Sequence, residues 1–220
     1  HPDDLEGFAG GLAFKLTSGA ISAIFAGGDR GVWAPEYARM PKRDYIDVRL
    51  EESAEAARRL GLKEVIYLGY FDRAVECNEE SIQKALDLLR RHQPDLVASF
   101  EFYRWATPYP HPDHLAVGNI VRHAVARYEH NDRLDYLLTS TLLPNIVLDV
   151  TGVRRVKLEA LACHTTQIGL NGVIFPFLGK FMTRLWGAFN GVDFAEGYRL
   201  VDVPSMMQRL RAKRGQPATD

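Results

Sequence analysis

The chain has 220 residues, 46% hydrophobic and 25% charged, with a formal net charge of −1. This is the composition of an ordinary globular domain, and so small a charge supplies no field for gathering a polyanion, so nucleic acid is not an expected partner. Its two cysteines, Cys77 and Cys163, lie far apart without Cys-x-x-Cys spacing, which fits a reducing cytoplasm better than a disulfide framework or a thiolate metal site, and neither a membrane span nor a secretory leader is expected.

Short β-rich runs alternate with longer helical patterns, the signal for βαβ units. The expected fold is therefore α/β: a Rossmann-like three-layer sandwich with a mostly parallel sheet, in one domain over residues 1–220. A first helix is expected over Leu5–Thr17, where Gly10 and Gly11 weaken the interior and mark a close backbone approach to a neighbour or ligand. A strand follows at Ala20–Ala26. Tyr45–Leu60 places Ile46, Leu50, Ala54, Ala57 and Leu60 on one helical stripe, and Gly61 closes it. The next strand is Glu64–Leu68. Asn78, with Glu79 and Glu80 behind it, reads as the cap of a helix that runs to about His92 and stops before Pro94. Further strands are expected at Asp95–Phe100, Leu134–Thr139 and Ile146–Val150, with a helix through Leu115, Val117, Ile120 and Val121 between the first two of these. Because Ala20–Ala26 reads as the second strand of a βαβ unit, the first strand is expected to lie ahead of His1, outside this sequence.

The residues that carry chemistry form two related blocks, His1-Pro2-Asp3-Asp4 and His111-Pro112-Asp113-His114. Imidazole and carboxylate together are what a borderline cation such as zinc takes from a protein, and a hydrolytic site leaves one position open for water. Taken alone, the first block is a turn with an N-cap aspartate. The second lies between a strand end and the helix after it, where open α/β sheets bind ligands. The stretch 101–110 leading to it carries Tyr103, Trp105 and Tyr109, and irregular segments of that length in a compact domain are commonly functional.

On these residues the chain resembles the PIG-L/LmbE family of zinc-dependent de-N-acetylases. The first block with Gly10-Gly11, and Tyr109-Pro110 leading into the second block, match its two hallmarks; weaker matches include Gly28-Asp29, Arg49 with Glu52, Asp72, Lys157–Gln167 with His164, and Glu196. The acid that usually follows the first block is Leu5 here, with Glu6 displaced by one position. The resemblance implies that His1, Asp4 and His114 bind zinc or another divalent metal, that Asp3 is the base, and that His111, oriented by Asp113, and Tyr109 stabilise the oxyanion and protonate the leaving amine. Its expected reaction is zinc-dependent hydrolysis of an N-acetyl group from an N-acetylglucosamine-type sugar or conjugate, a small-molecule partner. Alternatives are another metal-dependent hydrolysis, of a phosphoester or a different amide, and a non-catalytic sugar-binding relative.

Arg49, Asp72 and Asp29 are the candidates for substrate binding: arginine offers a planar fork and a strand-end aspartate accepts from a sugar diol. Against that stands the charged company of Arg49, which includes Glu52, Glu55 and Arg58, where surface pairing is the default. The aromatic segment 174–189 is open to four roles: core filling, which is favoured, a flap over the site, a subunit contact in a homo-oligomer, and an interfacial helix in contact with a membrane.

Overall fold

The computed structural model describes residues 1–16, 19–32, 34–167 and 174–213. Along the chain these form α1 (Asp4–Lys15), β1 (Ile21–Ala26), α2 (Lys42–Leu60), β2 (Glu64–Tyr70), α3 (Glu79–His92), β3 (Leu96–Phe100), α4 (Pro112–Arg127), β4 (Asp135–Thr139), β5 (Ile146–Asp149), α5 (Arg154–Leu161), α6 (Ile174–Phe189), β6 (Ala195–Val201) and α7 (Val203–Lys213). Two compact units divide the chain, one of residues 1–75 and 147–197, the other of residues 76–146 and 198–220. The expected α/β class with mostly parallel strands is what the elements form: β1 pairs with β2, and β3 with β4, in parallel.

In the first unit β1 and β2 are in register from Ile21 opposite Glu64. The second half of β1, Ile24, Phe25 and Ala26, is buried. Helix α2 ends as expected at Gly61, whose φ of 75° lets the amide of Leu62 reach back to the Ala57 carbonyl at 2.9 Å. Its buried stripe differs from the expected one. Tyr45, Ile46, Arg49, Ser53, Ala56, Ala57 and Leu60 face inward, whereas Ala54 is exposed. The row 46, 49, 53, 56, 60 has helical spacing but contains an arginine and a serine, so apolar periodicity selected the neighbouring row. Ala56 and Leu60 pack with Ala160 of α5, and Leu5 and Phe14 of α1 cover that cluster.

Helix α1 starts within a residue of expectation and is kinked at Ala9, whose φ of −144° is not helical. The glycines after the kink serve close packing. A Cβ on Gly11 would lie 2.3 Å from Val150 Cγ1, and one on Gly10 would lie 3.2 Å from Lys157 Cγ. The end of the expected helix at Thr17 lies outside the described residues.

In the second unit β3 and β4 run in parallel from Leu96 opposite Asp135 to Phe100 opposite Thr139, and β6 joins β4 antiparallel, Tyr136 opposite Val201. β4 is buried from Tyr136 to Thr139 on both faces, which is why it reads as a continuous apolar run. The Asn78 cap is formed: its side chain accepts from the Ser81 amide, and Ser81 Oγ accepts from the Asn78 amide, each at 3.0 Å. α4 packs close to β3 because it carries Gly118, where a Cβ would meet the Phe100 carbonyl at 2.6 Å.

β6 is absent from the sequence reading. Its run Ala-Glu-Gly-Tyr-Arg-Leu-Val interrupts the apolar alternation with charges, yet each charge is paired: Glu196 with Lys157 at 2.6 Å, Arg199 with Glu101 at 2.7 Å. Among the described residues no helix is long and apolar enough to cross a membrane. Of the aromatic segment, now α6, the side chains of residues 174–181, including Phe175, Phe177 and Phe181, lie outside the described residues. Phe189 at its end is 73% exposed.

Candidate active site

In the first unit the leading block is assembled by three chain segments. Asp3 holds the N-cap position of α1, yet its side chain makes no capping bond. Its carboxylate is turned to Arg49, whose Nη2 donates to Oδ1 at 2.6 Å. His1 Nδ1 lies 3.0 Å from Asp4 Oδ2, and its Nε2 lies 3.6 Å from Asp72 Oδ1. Two ligands on a tetrahedral ion with bonds of about 2.0–2.1 Å are roughly 3.3 Å apart. The imidazole and carboxylate of His1 and Asp4 therefore suit one shared borderline cation in both spacing and donor type.

Arg49, Asp72 and Asp29, which the sequence marks as substrate candidates, form a crosstie between the loops that leave β1 and β2. Asp72 accepts from the Gly28 amide at 2.8 Å and from the Arg30 amide at 3.0 Å. Asp29 Oδ1 accepts from the Asp72 amide at 2.7 Å, while Lys42 Nζ donates to Oδ2 at 2.8 Å. Burial pushes the Asp29 carboxyl up, but Lys42 and the Asp72 amide together outweigh that and hold it below its ordinary value. Arg49 Nη1 donates to the Gly28 carbonyl at 2.9 Å. Gly28 has a φ of 80°, and a Cβ there would sit 1.6 Å from Arg49 Nη1. Only glycine leaves room for that guanidinium.

The more distant matches prove to be supports for α1. Lys157 Nζ donates to Glu196 Oε1 at 2.6 Å and to the Gly7 carbonyl at 3.1 Å. Glu196 in turn accepts from the amides of Gly11 at 2.9 Å and Leu12 at 3.0 Å, so it ties β6 to the helix. Glu6, the displaced acid, is fully buried and lies 3.2 Å from His164 Nε2. Burial raises the Glu6 carboxyl. Burial lowers the His164 imidazole, but the Glu6 carboxylate beside it wins and raises it. His164 thus has a structural partner.

In the second unit His111 is the N-cap of α4 and Pro112 its first residue, a position where a missing N–H costs nothing. His111 Nδ1 accepts from the Asp113 amide at 3.3 Å and lies 3.9 Å from the same residue's carboxylate. Asp113 and His114 are buried at 2% and 3% exposure. The ring of His114 stacks flat on Phe100 at the end of β3, 3.8 Å between centroids and 4° between planes. His111 is 5.1 Å from His114 by ring centroids, and Tyr109 stands 5.8 Å from His111 and 5.4 Å from His114. All four second-block candidates are therefore gathered at one helix start.

One residue in this unit escaped the sequence reading. Glu101 follows β3 directly, is 1% exposed, and accepts from the amides of Phe102 and Tyr103, from Thr141 Oγ1 and from both Nε and Nη2 of Arg199. It anchors the base of the segment that leads to Tyr109 and His111. An acid at a strand end was the available signal, and its neighbourhood of aromatic residues hid it.

Comparison with known proteins bears on both blocks. A diacetylchitobiose deacetylase of Thermococcus kodakarensis is 25% identical over 217 residues, covering 91% of this chain and 80% of its own. A probable N-acetyl-alpha-D-glucosaminyl L-malate deacetylase 2 of Bacillus cereus is 27% identical over 184 residues, covering 76% and 80%. Among solved structures, the N,N'-diacetylchitobiose deacetylase from Pyrococcus horikoshii superposes with a TM-score of 0.82 at 26% identity, covering 93% of this chain and 82% of that one. The PIG-L family model, described as GlcNAc-PI de-N-acetylase, matches residues 1–125. That span is more than half of the chain and takes in both His-Pro-Asp blocks, so the chain belongs to the PIG-L family.

Proposed function

We propose that the chain is a de-N-acetylase that hydrolyses the N-acetyl group of an N-acetylglucosamine-type sugar or conjugate, releasing acetate and a free amine, with residues 1–220 acting as one catalytic domain. The observation that carries this reading is the family match over residues 1–125, which contains every residue proposed below. The names of the related deacetylases support the substrate class. His1, Asp4 and His114 are proposed to hold a divalent ion, zinc by the chemistry of two imidazoles and one carboxylate. Such an ion, when bound, polarises an amide carbonyl and lowers the pKa of water toward about 7.

The rest is work for the protein's own groups. Asp3, whose carboxylate is not among the proposed ligands, takes the proton of the attacking water. The Tyr109 hydroxyl donates to the oxygen that becomes negative as the carbonyl carbon turns tetrahedral. His111 in its protonated form hands a proton to the departing amine; a charged ring cannot accept the Asp113 amide at Nδ1, so it turns that N–H to the Asp113 carboxylate instead. Arg49, Asp72 and Asp29 are proposed to shape the sugar-binding side, by contact with hydroxyls or through the loops they tie. The setting proposed is the reducing cytoplasm, and the partner a small molecule.

The test is acetate release from N-acetylglucosamine, its β-linked disaccharide and larger conjugates, with metal content measured on the same preparations. Asp3→Asn is expected to keep the ion and lose about 10²–10⁴-fold in turnover, the usual worth of a general base. His114→Ala is expected to lose the ion as well. Full turnover by a metal-free preparation would overturn the reading.

A further inference from the structure

The segment that leads to His111 carries an indole that the proposed reaction leaves unused. We propose that Trp105 is a stacking platform for the pyranose ring joined to the sugar that is deacetylated, so that it selects an oligosaccharide over a lone N-acetylglucosamine. The inference rests on the deacetylase reading above and adds to it a residue that reads the substrate beyond its reacting ring.

Three observations carry it. First, the indole is displayed: Trp105 is 69% exposed, although its ring is one of the largest apolar surfaces a side chain has to bury. It has company. The Leu142 amide donates to the Ala106 carbonyl at 2.7 Å, and Leu142 and Leu143 are exposed as well. Scattered single hydrophobics are ordinary on a surface, whereas a group of them beside a site marks a contact. Second, the display is rigid. The Trp105 ring lies on Tyr103 with 5.7 Å between centroids and 22° between planes, and Tyr103 meets Phe102 edge-on at 4.6 Å. The Arg199 guanidinium lies 5.3 Å from the Phe102 ring and 5.7 Å from that of Tyr103, and Glu101 holds it at 2.7 Å. Glu101 also accepts from the amides of Phe102 and Tyr103. One face of the indole is thus backed, and the exposure of the residue leaves the other face to solvent. Third, the platform and two reacting groups share one segment. Trp105 sits in a 3₁₀ turn, Arg104–Ala106, four residues before Tyr109, so its Cα is nearer to that of Tyr109 than the about 14 Å of a fully extended chain. Between them Thr107 Oγ1, 3.2 Å from Ser140 Oγ, accepts from the Tyr109 amide at 3.2 Å.

A pyranose has hydroxyls around its rim and C–H groups on its faces. Those C–H groups are slightly positive and suit the negative face of an aromatic ring, while the rim stays hydrated. An indole that is already held loses little freedom when the sugar arrives, so more of the contact appears as affinity. An alkyl chain has no such plane to match to a flat, backed ring.

The experiment compares the wild type, Trp105→Ala and Trp105→Tyr as whole, metal-loaded chains. Acetate release is measured from N-acetylglucosamine, from its β-linked dimer and from its octyl glycoside, and calorimetry follows binding of the de-N-acetylated dimer, which cannot turn over. Trp105→Ala is expected to lower kcat/KM on the dimer, and to weaken binding of the de-N-acetylated dimer, by roughly tenfold, which is what one aromatic stacking contact supplies. On N-acetylglucosamine it is expected to stay within about twofold of the wild type. Trp105→Tyr is expected to recover most of the loss. An equal loss on the monosaccharide, no loss on the dimer, or a tyrosine variant no better than alanine overturns the proposal. So does an equal loss on the octyl glycoside, which assigns the ring to an apolar chain. A wild type that releases no acetate from any of the three defeats the deacetylase reading, and the binding comparison still decides the platform.

Discussion

Asp29 shows how a single residue can hold a loop through charge. Its carboxylate is buried between the Lys42 ammonium and the Asp72 amide, and its pKa lies below the ordinary 3.8. A carboxyl lowered in the folded state contributes stability that is fully present above 3.8 and is lost as pH falls through the folded value. The acid limb of the stability curve should therefore be steeper below about pH 4 in the wild type than in Asp29→Asn; urea midpoints measured from pH 6 to pH 3 check this, and parallel curves refute it. The sequence marked Asp29, Arg49 and Asp72 as residues of consequence. Their partners were not legible, because each bond crosses at least 13 positions, and 46 in the case of Arg49 and Asp3. Residue types at strand ends can be read from one dimension, while the acceptors they meet cannot.

At the scale of elements, α1 is the clearest case of two forces in opposition. Glycine in a helix interior costs about 1 kcal/mol relative to alanine, so Gly11→Ala gains that much from propensity. Against it stands a Cβ placed 2.3 Å from Val150 Cγ1 and 3.0 Å from both Glu196 oxygens. Overpacking of this kind costs about 1–3 kcal/mol, and Glu196 cannot give way without loosening Lys157 and two helix amides. The substitution should destabilise by up to about 2 kcal/mol, and in a Val150→Ala background the cost should shrink by the part that Val150 imposes, as denaturant unfolding of the four proteins will show. The glycine pair was legible as a close approach; Val150 and Glu196 as the neighbours were not. Five strands were legible because their apolar runs are short and bounded by turns. β6 was not, since buried charges with partners look in sequence like a loop.

For the molecule as a whole, a bound ion is a stability term. A ligand that binds only the folded state adds about 2.7 kcal/mol at 100 times its dissociation constant, and each kcal/mol moves the midpoint of a chain of this size by about 2–4 °C. Chelation should lower the thermal midpoint of the wild type by roughly 5–10 °C and leave His114→Ala unchanged. Equal shifts in both would remove His114 from the ligand set.

The amino-acid sequence by itself determined the α/β alternation, the helix caps at Asn78 and Gly61, and the two blocks of imidazole and carboxylate with their family. Each of these is written in residues close together along the chain, as hydrophobic period, turn chemistry or donor type. The tertiary structure alone decided which row of α2 is buried, that Arg49 grips Asp3, and that Glu6 lies against His164 across 158 positions. It also decided that β6 is a strand. The reason is physical: a charge enters the interior only where a partner meets it, and that partner is supplied by the fold.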